Sequence, residues 1–147
     1  MTSPKESGPP GKITAGYWLV VAGSVLTVLA ALFVLVIRQA VIDANVQANT
    51  DPARTVDTIT RDVDLTWISA LAGSLLIGGL AVWFARKARA GAKKSRTSLM
   101  ITVLLGLFYQ LTFSPLGVAG ALVATVGLAF FYLRQSTEYL TESEQPA

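Results

Sequence analysis

The residue types that most often carry enzymatic chemistry are scarce in this sequence. Its 147 residues include no Cys and no His, which excludes thiol nucleophiles, disulfides, imidazole acid–base chemistry and Cys/His metal sites. Asp62 and Asp64 form an acid-x-acid pair, but hard cations such as Ca²⁺ take about 6–8 oxygen ligands, so a solvated surface is the favoured interpretation. The sequence contains neither a Gly-rich phosphate loop nor a nucleophile–base arrangement. We therefore expect a protein without enzyme activity, cofactor or bound metal.

The polar residues inside the long apolar stretches are uncharged. An ionisable side chain within a membrane span is the usual sign of a pump, proton relay or ion path, and these stretches contain no charged residue. For Tyr109 and Gln110 we expect an interfacial hydrogen bond, with ligand contact as the alternative. The remaining hydroxyls can bond to their own helix or bridge to a neighbouring one: Ser24, Thr27, Ser69, Ser74, Thr102, Thr112 and Thr125.

The composition and the clustering of apolar residues predict an integral membrane protein. The chain is 52% hydrophobic and 14% charged, whereas soluble domains carry about 25% charged residues. Residues Tyr17–Ile37 and Leu65–Ala85 are each 21 residues long without a charge, and about 18 suffice to indicate a spanning helix. The first stretch exceeds the roughly 7–15 apolar residues of a signal peptide, so we expect it to be retained.

The third apolar stretch is too long for a single span. Leu99–Leu133 has 35 uncharged residues, or ~52 Å as one helix, against a hydrocarbon core of ~30 Å. Pro115 suits the first turn of a new helix, and Ser114 before it is a good N-cap. The sequence therefore predicts spans at 97–113 and 115–134, in preference to one kinked, tilted helix.

The charges that flank the spans predict the orientation. The loop 86–96 carries six cations and no acid, whereas the outer loop 38–64 carries five Asp and three Arg. The positive-inside rule places the basic loop and both termini in the cytoplasm, with Arg38 snorkelling to the outer head groups. A multi-pass protein of the cell inner (plasma) membrane follows. We expect the cations to contact anionic lipid head groups rather than nucleic acid: Arg86, Lys87, Arg89, Lys93, Lys94 and Arg96.

The segments outside the spans carry their own signals. Residues 1–12 are rich in Pro, Gly and Ser, which predicts a disordered cytoplasmic tail. In the outer loop, Asp51-Pro52 is typical of a helix start, and Val56, Ile59 and Val63 follow at helical spacing. A short amphipathic helix and an Asp57–Arg61 pair across one turn are the expected result. Residues 135–147 should form a cytoplasmic tail that begins as an extension of helix 4.

Small residues four positions apart recur in the predicted second and fourth helices. Such spacing lets helix backbones approach closely, which is how helices associate where lipid removes the hydrophobic driving force. Packing within the four-helix unit is the favoured interpretation, and docking against a second copy or another membrane protein is the alternative. The residues concerned are Ser74, Gly78, Gly117, Gly120, Ala121 and Ala124.

Two stretches resemble a group of small four-span membrane proteins of actinobacteria whose function is not established. The matching stretches are Arg86–Leu105 and Gly117–Leu140, a basic loop with a Leu-rich third span and a fourth span rich in small residues. Where Trp-Ala-Arg often closes the loop in those proteins, Arg96-Thr97-Ser98 stands here. The resemblance implies a host and a compartment, and no catalytic residue.

The predicted fold class is an all-α, integral membrane four-helix bundle with both termini inside and a partly helical outer loop. Its first hypothetical function is that of a non-enzymatic accessory, scaffold or assembly subunit of a larger membrane complex. The alternative is a homo-oligomeric channel or small-solute transporter, in which polar faces of helices 2 and 3, with Gln110, line a path between protomers. The expected partners are membrane lipids and either another membrane protein or a further copy of the chain.

Overall fold

The computed structural model describes residues 9–142 and consists there of helices and short connections. The all-α class is confirmed. The expected tails lie partly outside the described residues, at 1–8 and 143–147. In chain order the helices are α1 Gly11–Ala48, α2 Val56–Arg89, α3 Lys93–Phe113, a single 3₁₀ turn Pro115–Gly117, α4 Val118–Phe131 and α5 Arg134–Glu142.

Three of these helices are long and apolar enough to cross a membrane. They are α1, α2 and α3, and a fourth span is counted only if the bent pair Pro115–Phe131 and Arg134–Glu142 is taken as one. Membrane-spanning helices are what the apolar stretches predicted, and to this extent the prediction is confirmed.

Each of the four long helices packs against two others. Helix α1 contacts α2 and α4, and α3 contacts the same two helices. Consecutive helices run in opposite directions. Arg38 and Ser24 of α1 lie beside Asp64 and Gly78 of α2, so residue numbers rise along one helix as they fall along the other. Gln110 and Gly106 of α3 likewise lie beside Ser74 and Ile77 of α2. The chain reverses between α3 and α4, so the stretch 99–133 does not form one kinked helix.

The reversal between α3 and α4 differs in detail from the predicted helix start. Ser114 makes no capping hydrogen bond through its side chain. Its backbone carbonyl instead accepts from the Gly117 N–H at 2.8 Å, which closes the 3₁₀ turn, and α4 begins only at Val118. The prediction of Ser114 as an N-cap was therefore wrong, although Pro115 does open the new helical segment.

The outer segment 38–64, predicted to be partly helical, is helical over most of its length. Both helices extend into that region, so that only residues 49–55 are not helical. Asp51-Pro52 does not start a helix but lies in a turn. Asp51 Oδ1 accepts from the Ala53 N–H, and the Asn49 side chain donates to the carbonyls of Asp51 and Arg54 and accepts from the Asp51 N–H. Thr55 caps α2 by accepting from Thr58 N–H at 3.3 Å. The predicted short amphipathic helix is thus the first part of α2.

The chain after α4 bends rather than continuing straight. The bend between α4 and α5 is 62°, so residues 134–142 form a separate helix rather than the expected extension of helix 4. Ser136 Oγ donates to the Phe130 carbonyl at 2.8 Å across the bend. The bend buries Leu140 in the same apolar cluster as Ile13 and Phe131, whereas a straight helix would carry Leu140 away from it.

Candidate functional site

Glycines bring the backbones of α1 and α4 into close contact. A Cβ atom added to Gly120 would lie 2.7 Å from the Gly23 carbonyl oxygen, and one added to Gly127 would lie 2.8 Å from that of Gly16. Real Cβ atoms do not approach backbone so closely. The two backbones are therefore in direct contact, as in small-residue helix pairs of membranes.

The other predicted small residues of α4 also face the interior. Ala124 packs on Gly23, and Ala121 and Ala124 are both buried. A Cβ at Gly117 would overlap the Gln110 side chain. The structure thus brings Gly117, Gly120, Ala121 and Ala124 onto the inner side of the helix assembly, where they contact the chain itself.

A second, polar contact joins α2 to α3. Gln110 is 2% exposed, and its Nε2 donates to Ser74 Oγ at 2.9 Å, while Ser74 Oγ donates to the Ala70 carbonyl. A cavity of about 30 Å³ lies beside this pair, between all four long helices, which is room for one or two water molecules. Gln110 therefore points into the interior of its own chain. Tyr109 bonds the Ser69 carbonyl of α2.

The α1–α2 side of the assembly is open to the outside. A groove of about 390 Å³ follows the seam between these two helices and is lined by residues of α1 and α2 alone. Ser24 and Gly78 meet at its floor, with 3.3 Å between Ser24 Cβ and a Cβ placed on Gly78. Gly79 is exposed, and nothing lies within 4 Å of a Cβ placed there. Valines and leucines form the walls: Val21, Val25, Val28, Leu29, Leu75 and Val82.

Sequence reasoning missed three glycines of the α1–α4 contact and the open glycine of the groove. Gly16, Gly23 and Gly127 were not among the predicted packing residues, yet each touches backbone of the opposing helix. The signal was a spacing of seven rather than four, since Gly16 and Gly23 match Gly120 and Gly127. Seven residues are two helical turns, so this spacing also keeps glycines on one face.

The six predicted lipid-contacting cations lie on two helix ends. Arg86, Lys87 and Arg89 occupy the last turn of α2, where positive charge complements the helix dipole. Lys93, Lys94 and Arg96 occupy the first turn of α3, where positive charge is unfavourable because it opposes the helix dipole. An anion bound nearby would offset this unfavourable interaction. Only residues 90–92 separate the helices, and Gly91 there has a φ of 99°, a conformation that favours glycine.

Three of these cations lie over aromatic rings. Lys87 Nζ is 3.9 Å from the centre of the Trp83 ring, Arg89 lies over Tyr17, and Arg96 lies over Tyr132. Arg96 also donates to Thr137 Oγ1 at 3.0 Å, which ties α3 to α5. Such pairing holds the cations close to the ends of the apolar segments.

The charged residues at the opposite end form ion pairs. Arg38 of α1 makes two hydrogen bonds to Asp64 of α2, at 2.6 and 2.7 Å. The Arg38 guanidinium lowers the pKa of the Asp64 carboxyl, chiefly by hydrogen bonding. Arg54 pairs with Asp62 at 2.6 Å. The predicted Asp57–Arg61 pair is not formed within the described residues. Arg38 thus has a partner in the chain itself.

Comparison with known proteins found no relative of the chain. No family model, curated protein or solved structure matches the chain, so the resemblance to actinobacterial four-span proteins stays a prediction. Among residues 9–142 no group of three or more potential ligands could hold a metal ion.

Proposed function

We propose that the chain is a non-enzymatic subunit of a membrane complex, and that the groove between α1 and α2 receives an apolar transmembrane helix of another subunit. In this proposal the protein is a four-span bundle of the plasma membrane with both termini in the cytoplasm. The observation that carries the proposal is the open groove with the uncovered Gly79.

The depth of the groove supports an occupant from within the membrane. Ser24 and Gly78 lie inside the uncharged stretches Tyr17–Ile37 and Leu65–Ala85, so the groove is surrounded by hydrocarbon. Small residues on its floor let a helix backbone approach closely, and the valines and leucines beside them supply dispersion contacts. A flexible lipid chain loses conformational freedom when it is held in such a space, whereas a helix is already ordered before it docks.

The basic end of the assembly supports the proposed orientation. Six cations lie within the short segment 86–96, and three of them begin α3, against its dipole. Anionic lipid phosphates would offset that unfavourable charge. In this proposal the segment both fixes the topology and contacts the inner leaflet.

The proposal is tested by filling the groove and measuring association. Position 79 is exposed, and nothing lies within 4 Å of a Cβ placed there, so the fold should persist in Gly79→Leu. The matched control is Ala119→Leu, which adds a similar volume to an exposed position of α4 outside the groove. Tagged variants are purified from native membranes in mild detergent, and bound proteins are quantified by mass spectrometry.

We expect a stoichiometric membrane-protein partner with the unaltered chain and with Ala119→Leu, reduced at least tenfold in Gly79→Leu. Equal recovery of the partner with the unaltered chain and with both variants would show that the groove is not its docking site. Recovery of only further copies of the chain, at a fixed number lost in Gly79→Leu, would replace the foreign partner by a homo-oligomer. Flux measurements in liposomes would then be the next step.

A further inference from the structure

The floor of the α1–α2 groove carries one hydroxyl group without a partner. Ser24 lines the groove, and its Oγ makes no hydrogen bond within residues 9–142. Gln110 Oε1 and Ser114 Oγ are also unpartnered but fully enclosed, whereas Ser24 is half-buried and its Oγ keeps accessible surface. This oxygen lies in the seam between the two helices, 3.7 Å from a Cβ placed on Gly78. A group that enters the groove can therefore reach it.

Several other hydroxyls within the apolar stretches are already bonded. Each donates to the backbone carbonyl four residues earlier, which is a common way for serine and threonine to satisfy the hydroxyl proton inside a helix. Ser74, the second hydroxyl of the groove, also accepts from Gln110 Nε2. Ser24 makes no such bond to Val20. The bonded residues are Thr27, Ser74, Thr102 and Thr125.

Ser24 lies close to the middle of its apolar stretch. It is 12 residues after Lys12 and 14 residues before Arg38, or ~18 Å and ~21 Å along the helix from the two charges. Head groups and bulk water do not reach the middle of a ~30 Å hydrocarbon core. An unbonded hydroxyl at that depth is unfavourable, and a hydrogen-bonding neighbour removes this cost. The valines and leucines of the groove walls cannot form that bond.

We propose that the helix received by the groove is apolar except for one hydrogen-bonding side chain near its middle, which bonds Ser24 Oγ. An amide or hydroxyl side chain, as in Asn, Gln, Ser or Thr, suits a serine hydroxyl because the hydroxyl both donates and accepts. This inference rests on the proposed docking function and adds the chemistry by which the groove selects its partner. Small residues permit close approach of any apolar helix, whereas the hydrogen bond specifies which residue must face Ser24.

Two serine variants test the inference. Ser24→Ala removes the hydroxyl and leaves the groove open. Ser69→Ala is the matched control, because Ser69 is exposed on α2 outside the groove and its Oγ also makes no hydrogen bond within the described residues. Ser69 lies five residues from Asp64, near the charged end of the apolar stretch. Both variants are purified in mild detergent from native membranes beside the unaltered chain and Gly79→Leu, and recovered membrane proteins are quantified by mass spectrometry.

The expected result is a selective loss with Ser24→Ala. The partner that Gly79→Leu loses should be recovered about 3–15-fold less with Ser24→Ala, the equivalent of one hydrogen bond between membrane helices, and undiminished with Ser69→Ala. A span of this partner should contain a hydrogen-bonding residue in its middle third. Replacing that residue by leucine should lower recovery with the unaltered chain and have no further effect with Ser24→Ala.

The hydrogen bond and the docking groove fail by different results. A partner that is lost with Gly79→Leu but recovered equally with Ser24→Ala and Ser69→Ala would overturn the hydrogen bond alone. The Ser24 hydroxyl would then be satisfied from the interior cavity, which it also borders. A partner whose spans lack a hydrogen-bonding residue at that depth would likewise overturn only the hydrogen bond. Recovery of lipid alone, or of further copies of the chain alone, would overturn both.

Discussion

The two sides of α1 use the same kind of residue to opposite effect. Toward α4, the space beside the glycines is filled by the opposing helix, since a Cβ on Gly120 would lie 2.7 Å from the Gly23 carbonyl oxygen. Toward α2, Gly78 is in moderate contact with Ser24, and Gly79 beside it faces open space. Small residues therefore close one helix seam and leave a groove along the other.

This difference shows what a small-residue pattern does and does not specify. Spacing places the residues on one face of a helix, and the absence of side chains permits close approach. Whether that face meets the chain's own helices depends on how many faces the neighbours cover. Here α4 covers one side of α1, while the outer side of the α1–α2 seam is uncovered by the described residues.

The largest expected effect on stability comes from adding a side chain to the α1–α4 contact. Gly23→Leu would push the new side chain into the backbone of α4 at Gly120 and Ala124. We expect a loss of stability at or above the upper end of the about 1–3 kcal/mol seen for overpacking. Thermal unfolding in detergent measures it, with Ala119→Leu as the control. A Gly23→Leu protein as stable as that control would contradict the observed α1–α4 contact.

Replacing a glycine by alanine should change the free energy of unfolding in opposite directions at the α1–α4 contact and in the α1–α2 groove. Gly120→Ala adds a Cβ that overlaps α1 and should destabilise by about 1–3 kcal/mol. Gly79→Ala adds a Cβ into open space and should stabilise by up to about 1 kcal/mol, because alanine favours the helix. Denaturation midpoints of the two variants test this, and equal shifts of the same sign would erase the distinction between the seams.

The hydrogen bond between Gln110 and Ser74 should contribute less to stability than the glycine contact between α1 and α4. Gln110→Leu removes the bond to Ser74 but also removes the unpartnered Gln110 Oε1, and Ser74 retains its bond to Ala70. The two effects oppose each other, so we expect a change within about 1 kcal/mol. The comparison with Gly120→Ala is made in the same unfolding assay. A larger loss for Gln110→Leu would make the α2–α3 contact the dominant one.

The smallest effect is expected at the half-buried Arg38–Asp64 pair. The pKa of Asp64 is lowered in the folded state, so the pair stabilises the fold above the unfolded pKa of about 3.9 and loses this effect as pH falls through the folded pKa. Asp64→Asn should reduce the Tm slightly at pH 7 and by less near pH 2. A variant with the same deficit at both pH values would rule out the ion pair as the cause.

Much of the helical pattern could be predicted from uncharged length alone. The first two stretches predicted helices in the right places, and Pro115 predicted the break in the third. The extensions of α1 and α2 beyond the spans were underestimated, because polar and apolar residues alternate there and the local Asp51-Pro52 signal suggested a new start. The capping bond that Asp51 was expected to provide is instead provided by Thr55, whose Oγ1 accepts from the Thr58 N–H.

The candidate groove could not be predicted because it depends on tertiary contacts. Gly78 was predicted as a packing residue from its spacing to Ser74, yet Gly79, one residue away, is the position left open. Adjacent residues on a helix point about 100° apart, so packing alone decides which of them is covered. The ion pair of Arg38 likewise required the antiparallel register of α1 and α2.

The most direct test of the docking proposal is site-specific photo-crosslinking in native membranes. A benzophenone amino acid is introduced at Gly79 in one protein and at Ala119 in another, at exposed positions that tolerate the side chain. The account predicts one membrane-protein adduct of fixed mass from position 79, at high yield, and lipid adducts alone from position 119. Lipid adducts alone from both positions would contradict it.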